Sequence, residues 1–311
     1  MDMNSLIAAP YTAMLADGDL NLELISRQAQ ALFASGVSGA FVCGTTGEGA
    51  SLTLEERMAV AQRWCEDRPE GLSIIVHVGG TSLRDCQALA MHAQQIGADG
   101  IAAIAPYFFK PSSISQLGQW CQAVAGAAPE LPFYYYHMPA MTGVDLSMEQ
   151  LLTQCAPDIP NFAGIKFTHE NLYDFGRCVD VSQGRYKMLF GRDEIMLSAI
   201  PLGADGAVGS TYNYAAPIYL KMIEAYNNGD LTAAAVYQQQ SRQLVDLLIK
   251  YGGLATGKAI MQIIGIDCGP TRLPLSSLST QQTKQLEADL QDIQFFDAIG
   301  SQISDQIRTL A

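Results

Sequence analysis

Cations are scarce in this chain: 18 Lys+Arg stand against 31 Asp+Glu, a formal charge of −13. A field of that sign repels nucleic acid and anionic membranes, and no run of Lys or Arg offers a local exception. An anionic substrate must therefore be held locally, by backbone N–H groups, hydroxyls or one buried cation. No stretch approaches the ~20 apolar residues of a membrane span. The opening MDMNSLIAAP lacks the basic n-region and apolar run of a secretory signal, so a soluble cytoplasmic protein is expected. The four histidines are dispersed and HExxH is missing. The seven cysteines (Cys43, Cys65, Cys86, Cys121, Cys155, Cys178, Cys268) include no CxxC. Odd in number and scattered, they read as reduced thiols used as small hydrophobes, and no metal site is expected.

What is present is an alternation. Of the 311 residues, 49% are hydrophobic, enough for a sizeable core. From residue 6 to residue 226, short β-rich apolar runs alternate with helical patterns. The strand candidates are Leu6–Tyr11, Gly39–Cys43, Leu72–Val78, Gly100–Ile104, Pro132–His137, Phe162–Phe167, Tyr186–Phe190 and Gly206–Val208. Each is nearly all apolar, as parallel strands covered on both faces are. Between them lie amphipathic stretches such as Leu54–Trp64 and Leu83–Ile96, the first opened by a Thr53/Glu56 capping box. After Tyr226 only helical patterns follow, over Leu231–Lys250, Ala255–Ile264 and Thr280–Phe296. The predicted architecture is an α/β fold, a (β/α)8 TIM barrel over residues 1–226 with a C-terminal helical extension over 227–311 packed on it. A doubly wound sheet stays open, because strand order is not visible in one sequence.

Barrel chemistry sits at the C-terminal strand ends and the loops after them. Those ends offer Thr45 and Thr46, Tyr107, Tyr136, Lys166 with Thr168, Gly191 with Asp193 and Glu194, and Ser210. Lys166 is the most informative. Side chains alternate along a strand, so if Ile165 and Phe167 face the helices, Lys166 faces the barrel interior. Desolvation there lowers the amine pKa and makes a nucleophile; the bland alternative is a lysine paired with a barrel carboxylate. None of the other six lysines competes for this role. Tyr136, one strand earlier, is placed to relay protons or stabilise an oxyanion, with core packing the alternative. Gly44-Thr45-Thr46-Gly47-Glu48-Gly49 is neither a dinucleotide fingerprint nor a P-loop. Its hydroxyls and N–H groups suit a carboxylate. Asp193 and Glu194 read either as helix N-terminal acids or as polyol ligands, and His137 and His169 as rim or structural residues.

Five motifs occur in order: Gly44-Thr45-Thr46-Gly47-Glu48, Tyr136 ahead of Met138-Pro139, Gly164-Ile165-Lys166, Gly191-Arg192-Asp193-Glu194 and Gly209-Ser210-Thr211-Tyr212-Asn213. Together they resemble the N-acetylneuraminate lyase/dihydrodipicolinate synthase family over essentially the whole chain. PFYYYHMP (132–139), Phe167 after the lysine and Val208–Tyr214 look like the animal-type lyases of that family. The synthases carry an arginine two residues after the proline of the strand-five motif; here that position is Met141.

The resemblance implies a Schiff-base (class I) aldolase, a homotetramer without cofactor or metal. It implies reversible cleavage of a sialic acid, N-acetylneuraminate, to N-acetylmannosamine and pyruvate. It assigns the imine to Lys166, proton transfer to Tyr136, and the carboxylate to Thr45, Thr46 and nearby N–H groups. It assigns the hydroxylated tail to Thr168, Gly191, Asp193, Glu194 and Ser210. One departure stands out: many relatives insert a tyrosine from a neighbouring subunit, and the aligned position here is Phe108. Another pyruvate-dependent aldolase, such as a dihydrodipicolinate synthase or keto-deoxy sugar acid aldolase, and a non-catalytic ligand-sensing barrel remain as alternatives.

Overall fold

The computed structural model describes residues 5–300. Eight parallel strands close on themselves in sequence order: β1 (Ser5–Ala8), β2 (Gly39–Val42), β3 (Ser73–His77), β4 (Gly100–Ile104), β5 (Phe133–His137), β6 (Phe162–Phe167), β7 (Lys187–Phe190) and β8 (Gly206–Gly209). The β8–β1 pairing, with Ile7 opposite Val208, removes both sheet edges and with them the doubly wound alternative. The first strand stops short of its expected end at Tyr11. Pro10 lacks the N–H a ladder needs, and only Ala9 continues the pattern, donating to Gly209 O at 2.9 Å.

The period of two along each strand sorts the apolar residues into two cores. Ile7, Phe41, Ile75, Ala102, Ile104, Tyr136, Leu189 and Val208 pack together inside the barrel. Their strand neighbours, Ile165 and Phe167 among them, pack outward under the helices. Register then fixes which interior groups meet, since Tyr136 pairs with Lys166 and Lys166 with Leu189 on the adjacent strand.

The helix Leu54–Asp67 begins with the expected capping box. Glu56 N donates to Thr53 Oγ1 at 3.2 Å and Thr53 N to Glu56 Oε2 at 2.8 Å. Glu56 also receives the guanidinium of Arg272, so this cap ties the C-terminal segment to the barrel. Thr53→Ala is expected to lower stability by about 1 kcal/mol. Urea titration checks this: the midpoint falls while the slope stays constant.

Beyond the helix Tyr212–Asn227 come the helices Leu231–Tyr251, Leu254–Ile263, Thr280–Asp292 and Phe295–Ile299. The expected single helix Thr280–Phe296 is broken at Gln294, which adopts φ 56°. Residues 301–311 of the expected extension lie outside the described residues. Glu48 and Lys258 form a buried ion pair at 2.8 Å, closed off by Arg272 N on Glu48 Oε2 and by Pro270 O on Lys258 Nζ. Removing either partner alone would strand a buried charge, so the acid of the Gly44–Glu48 motif fastens the extension. No helix among the described residues is long and apolar enough to cross a membrane.

Candidate active site

Lys166 ends up where strand alternation predicts, 4% exposed and inside the barrel. Its Nζ lies 3.9 Å from the Phe41 ring centroid and 4.1 Å from that of Tyr136. Among the described residues, no carboxylate reaches ion-pair distance of that nitrogen. Burial pulls its pKa from the usual lysine range to about 7, while the Asp193 carboxylate works weakly the other way. Lys258 is equally buried but neutralised by Glu48. The two buried lysines thus realise the two readings of a buried amine, and sequence position alone did not reveal the second.

Tyr136 lies across the strand pair from Lys166 and is 3% exposed. Its hydroxyl is 3.3 Å from Thr45 Oγ1 and donates to Met138 Sδ at 2.9 Å. Burial raises its pKa, and the nearby Thr45 and Thr168 hydroxyls oppose the rise, so the phenol stays protonated at neutral pH and is placed to give a proton and take it back. His77, at the end of β3, meets the Tyr136 ring edge-on at 5.8 Å. Its Nδ1 is 3.1 Å from Cys43 O, and burial holds its pKa far below the ordinary range, so it is a neutral ring packed against Tyr136 and Phe41. His77 and Phe41 escaped the sequence reading, although both follow from strand alternation.

After β2, Glu48 N turns back to Thr45 O and Gly49 N to Gly44 O. That tight turn leaves the N–H groups of Thr45 and Thr46 without a protein acceptor among the described residues. Both side chains face one cavity of about 360 Å³, lined also by Lys166, Tyr136, Thr168, Gly191, Asp193, Glu194 and Ser210. All nine residues singled out from strand-end position and family motif therefore converge. Tyr107 does not: it is 38% exposed and takes no part in the lining.

Asp193 is 5% exposed. Its Oδ2 accepts from Thr211 Oγ1 at 2.6 Å and Thr211 N at 3.2 Å, while Oδ1 has no partner among the described residues. Burial raises its pKa, and the Thr211 hydrogen bonds oppose the rise. A Cβ on Gly209 would overlap Asp193 Oδ1, and one on Gly191 would overlap Thr168 Oγ1. Those two glycines leave room for polar groups at the cavity wall. Glu194 is held from behind by Arg192, at 3.3 Å, and Arg192 also grips Glu170.

The extension supplies the far wall. Val245, Leu248 and Leu254 line the cavity, and Gln238 Nε2 and Ser241 Oγ both donate to Asp193 O, at 3.1 and 2.9 Å. No strand-end rule could have found these residues, which arrive from helices remote in sequence. The site therefore combines a desolvated amine, a neutral phenol, unpaired N–H groups and a carboxylate-lined pocket. Such a set can form and cleave carbon–nitrogen and carbon–carbon bonds next to a carbonyl.

The family model for the dihydrodipicolinate synthetase family matches residues 2–293. The chain is 44% identical over 301 residues to the N-acetylneuraminate lyase of Mus musculus, covering 95% of this chain and 94% of that protein. To the human N-acetylneuraminate lyase it is 45% identical over 298 residues, covering 94% and 93%. Among solved structures, the Proteus mirabilis N-acetylneuraminate lyase superposes with a TM-score of 0.92 at 41% identity, covering 95% of this chain and 100% of that one.

Proposed function

The chain belongs to the dihydrodipicolinate synthetase family, and from that premise we propose that it is a Schiff-base lyase that reversibly cleaves N-acetylneuraminate to N-acetylmannosamine and pyruvate. The observation that carries the chemistry is the buried Lys166 amine with no carboxylate partner. The observation that carries the substrate is the similarity, over more than nine-tenths of both chains, to lyases of that name.

In the proposed route the Lys166 amine adds to the C2 ketone of the open-chain sugar acid and water leaves, giving a protonated imine. The C4 hydroxyl loses its proton, the C4 carbonyl forms, and the C3–C4 bond pair moves into the imine as it becomes an enamine. N-acetylmannosamine departs. The enamine takes a proton at C3, and water hydrolyses the resulting imine to pyruvate and free Lys166. The lysine is the electron sink, so the route calls on no cofactor.

Thr45 and Thr46, with their unpaired N–H groups, are the proposed carboxylate ligands, because the chain's net charge provides no long-range attraction for an anion. Tyr136 is the proposed proton carrier. Asp193 and Glu194, aided by Thr168, Ser210 and the Gly191 backbone, are the proposed ligands of the polyol tail. With Phe108 in the position of the relatives' tyrosine, the proton path rests on Tyr136, Thr45 and solvent. A homotetramer in the cytoplasm is the assembly and location that go with this reading.

Met141 is 62% exposed where a synthase has its arginine, which speaks against a second carboxylate on the acceptor. With pyruvate as donor, N-acetylmannosamine is expected to be the preferred acceptor over aspartate semialdehyde in kcat/KM. The reverse preference would move the chain to the synthase branch.

A further inference from the structure

Two of the four histidines, far from each other in sequence, meet outside the active-site cavity. His137 ends β5 one residue after Tyr136, and His169 follows β6 one residue after Thr168. β5 and β6 are paired neighbours, and the two imidazoles stand edge-on with centroids 5.5 Å apart. Asp145, from the loop after the short helix Pro139–Thr142, completes the group. One ligand atom from each of the three lies within 4.8 Å of the others. Alternation turns His137 away from Tyr136, and none of the three lines the active-site cavity.

Two further observations point to a ligand. His137 is 1% exposed, yet neither ring nitrogen has a hydrogen-bond partner among the described residues. Buried polar atoms are rarely left so. The Asp145 carboxylate, exposed to solvent, takes part in no hydrogen bond or ion pair among the described residues. From these facts we propose that His137, Asp145 and His169 form a divalent-metal site, with Zn²⁺ as the best-suited ion.

The donor set of two imidazoles and one carboxylate is that of a borderline ion and leaves a fourth position to solvent. Tetrahedral zinc needs ligand atoms ~3.4 Å apart at bond lengths near 2.1 Å. Asp145, on the solvent side, supplies the small closing movement. Glu170, 3.7 Å from His169 Nε2 and shared with Arg192, is the competing partner that the metal must displace or recruit. The dispersion of histidines along the chain, which argued against a metal site, is undone by the pairing of β5 with β6.

The test uses the full chain stripped with EDTA and titrated with Zn²⁺ by calorimetry and with Co²⁺ by visible absorption. One equivalent per chain is expected, with cobalt bands of nitrogen and oxygen ligation and a raised melting temperature with zinc. Asp145→Ala, at an exposed position, should melt like wild type when stripped, and His169→Ala, half-buried against His137 and Phe167, is the second variant. They should weaken zinc binding by at least about 100-fold, since even outer-shell losses cost 10–100-fold. Equal binding by wild type and both variants, or thiolate charge-transfer bands from cobalt, would overturn the site. Stripped wild type should keep its pyruvate-forming activity, so failure of this site and failure of the proposed reaction are read separately.

Discussion

Lys166→Met is expected to abolish cleavage of N-acetylneuraminate, lowering kcat by about 10⁴ or more, the scale seen when a covalent nucleophile is removed. Methionine nearly matches the lysine stem in length and apolar character, so the ring contacts with Phe41 and Tyr136 have a replacement and the loss is chemical. Borohydride reduction in the presence of pyruvate should label wild type at the peptide containing Lys166 and leave the variant unlabelled. Labelling elsewhere, or an active variant, would remove the imine from this position.

The same amine sets a pH dependence. Its folded pKa is about 7 because burial disfavours the ammonium, and the neutral amine is the nucleophile. Therefore kcat/KM should level off above about 7 and fall as pH drops below it, approaching tenfold per unit. The stability sign is the opposite of that of a paired lysine. Between about 7 and the unfolded value near 10.5 the unfolded chain holds one proton more than the folded one. Stability from this group therefore rises with pH through that window. At neutral pH Lys166 costs stability, and the methionine variant should melt at a higher temperature than wild type.

Tyr136→Phe is the second large effect. The ring stays, with its contacts to Lys166, Phe41 and His77, and only the hydroxyl that meets Thr45 and Met138 is lost. If that hydroxyl moves the proton at the reacting carbons, kcat falls by about 10²–10⁴, the usual contribution of a positioned acid–base group. KM for the sugar acid should change little. Borohydride trapping of pyruvate should persist, because the imine requires Lys166 rather than the phenol. A kcat within a few-fold of wild type would leave Tyr136 as packing, the bland reading of an aromatic on a barrel strand.

Much of this is legible in the sequence. Eight apolar runs separated by amphipathic stretches imply a parallel sheet with helices on its faces, and their number favours a barrel over a doubly wound sheet without deciding it. Lys166 could be pointed inward because side chains alternate along a strand whatever the fold around it. The Thr53 cap could be read because a capping box spans only four residues and needs no distant partner. These features are local, and local rules carry them.

What escaped lies in contacts between segments far apart in the chain. Closure of the barrel depends on β1 meeting β8. The use of Glu48 to hold Lys258 depends on where a helix after residue 250 docks. Burial of Asp193, and so the chemistry of its carboxylate, depends on Thr211 and on Ser241 of the extension. The pairing of His137 with His169 depends on which strands are neighbours. Strand periodicity can tell which way a side chain points; only the docked helices and the closed sheet decide what it meets there, because burial, and with it charge and affinity, is a property of the assembled packing.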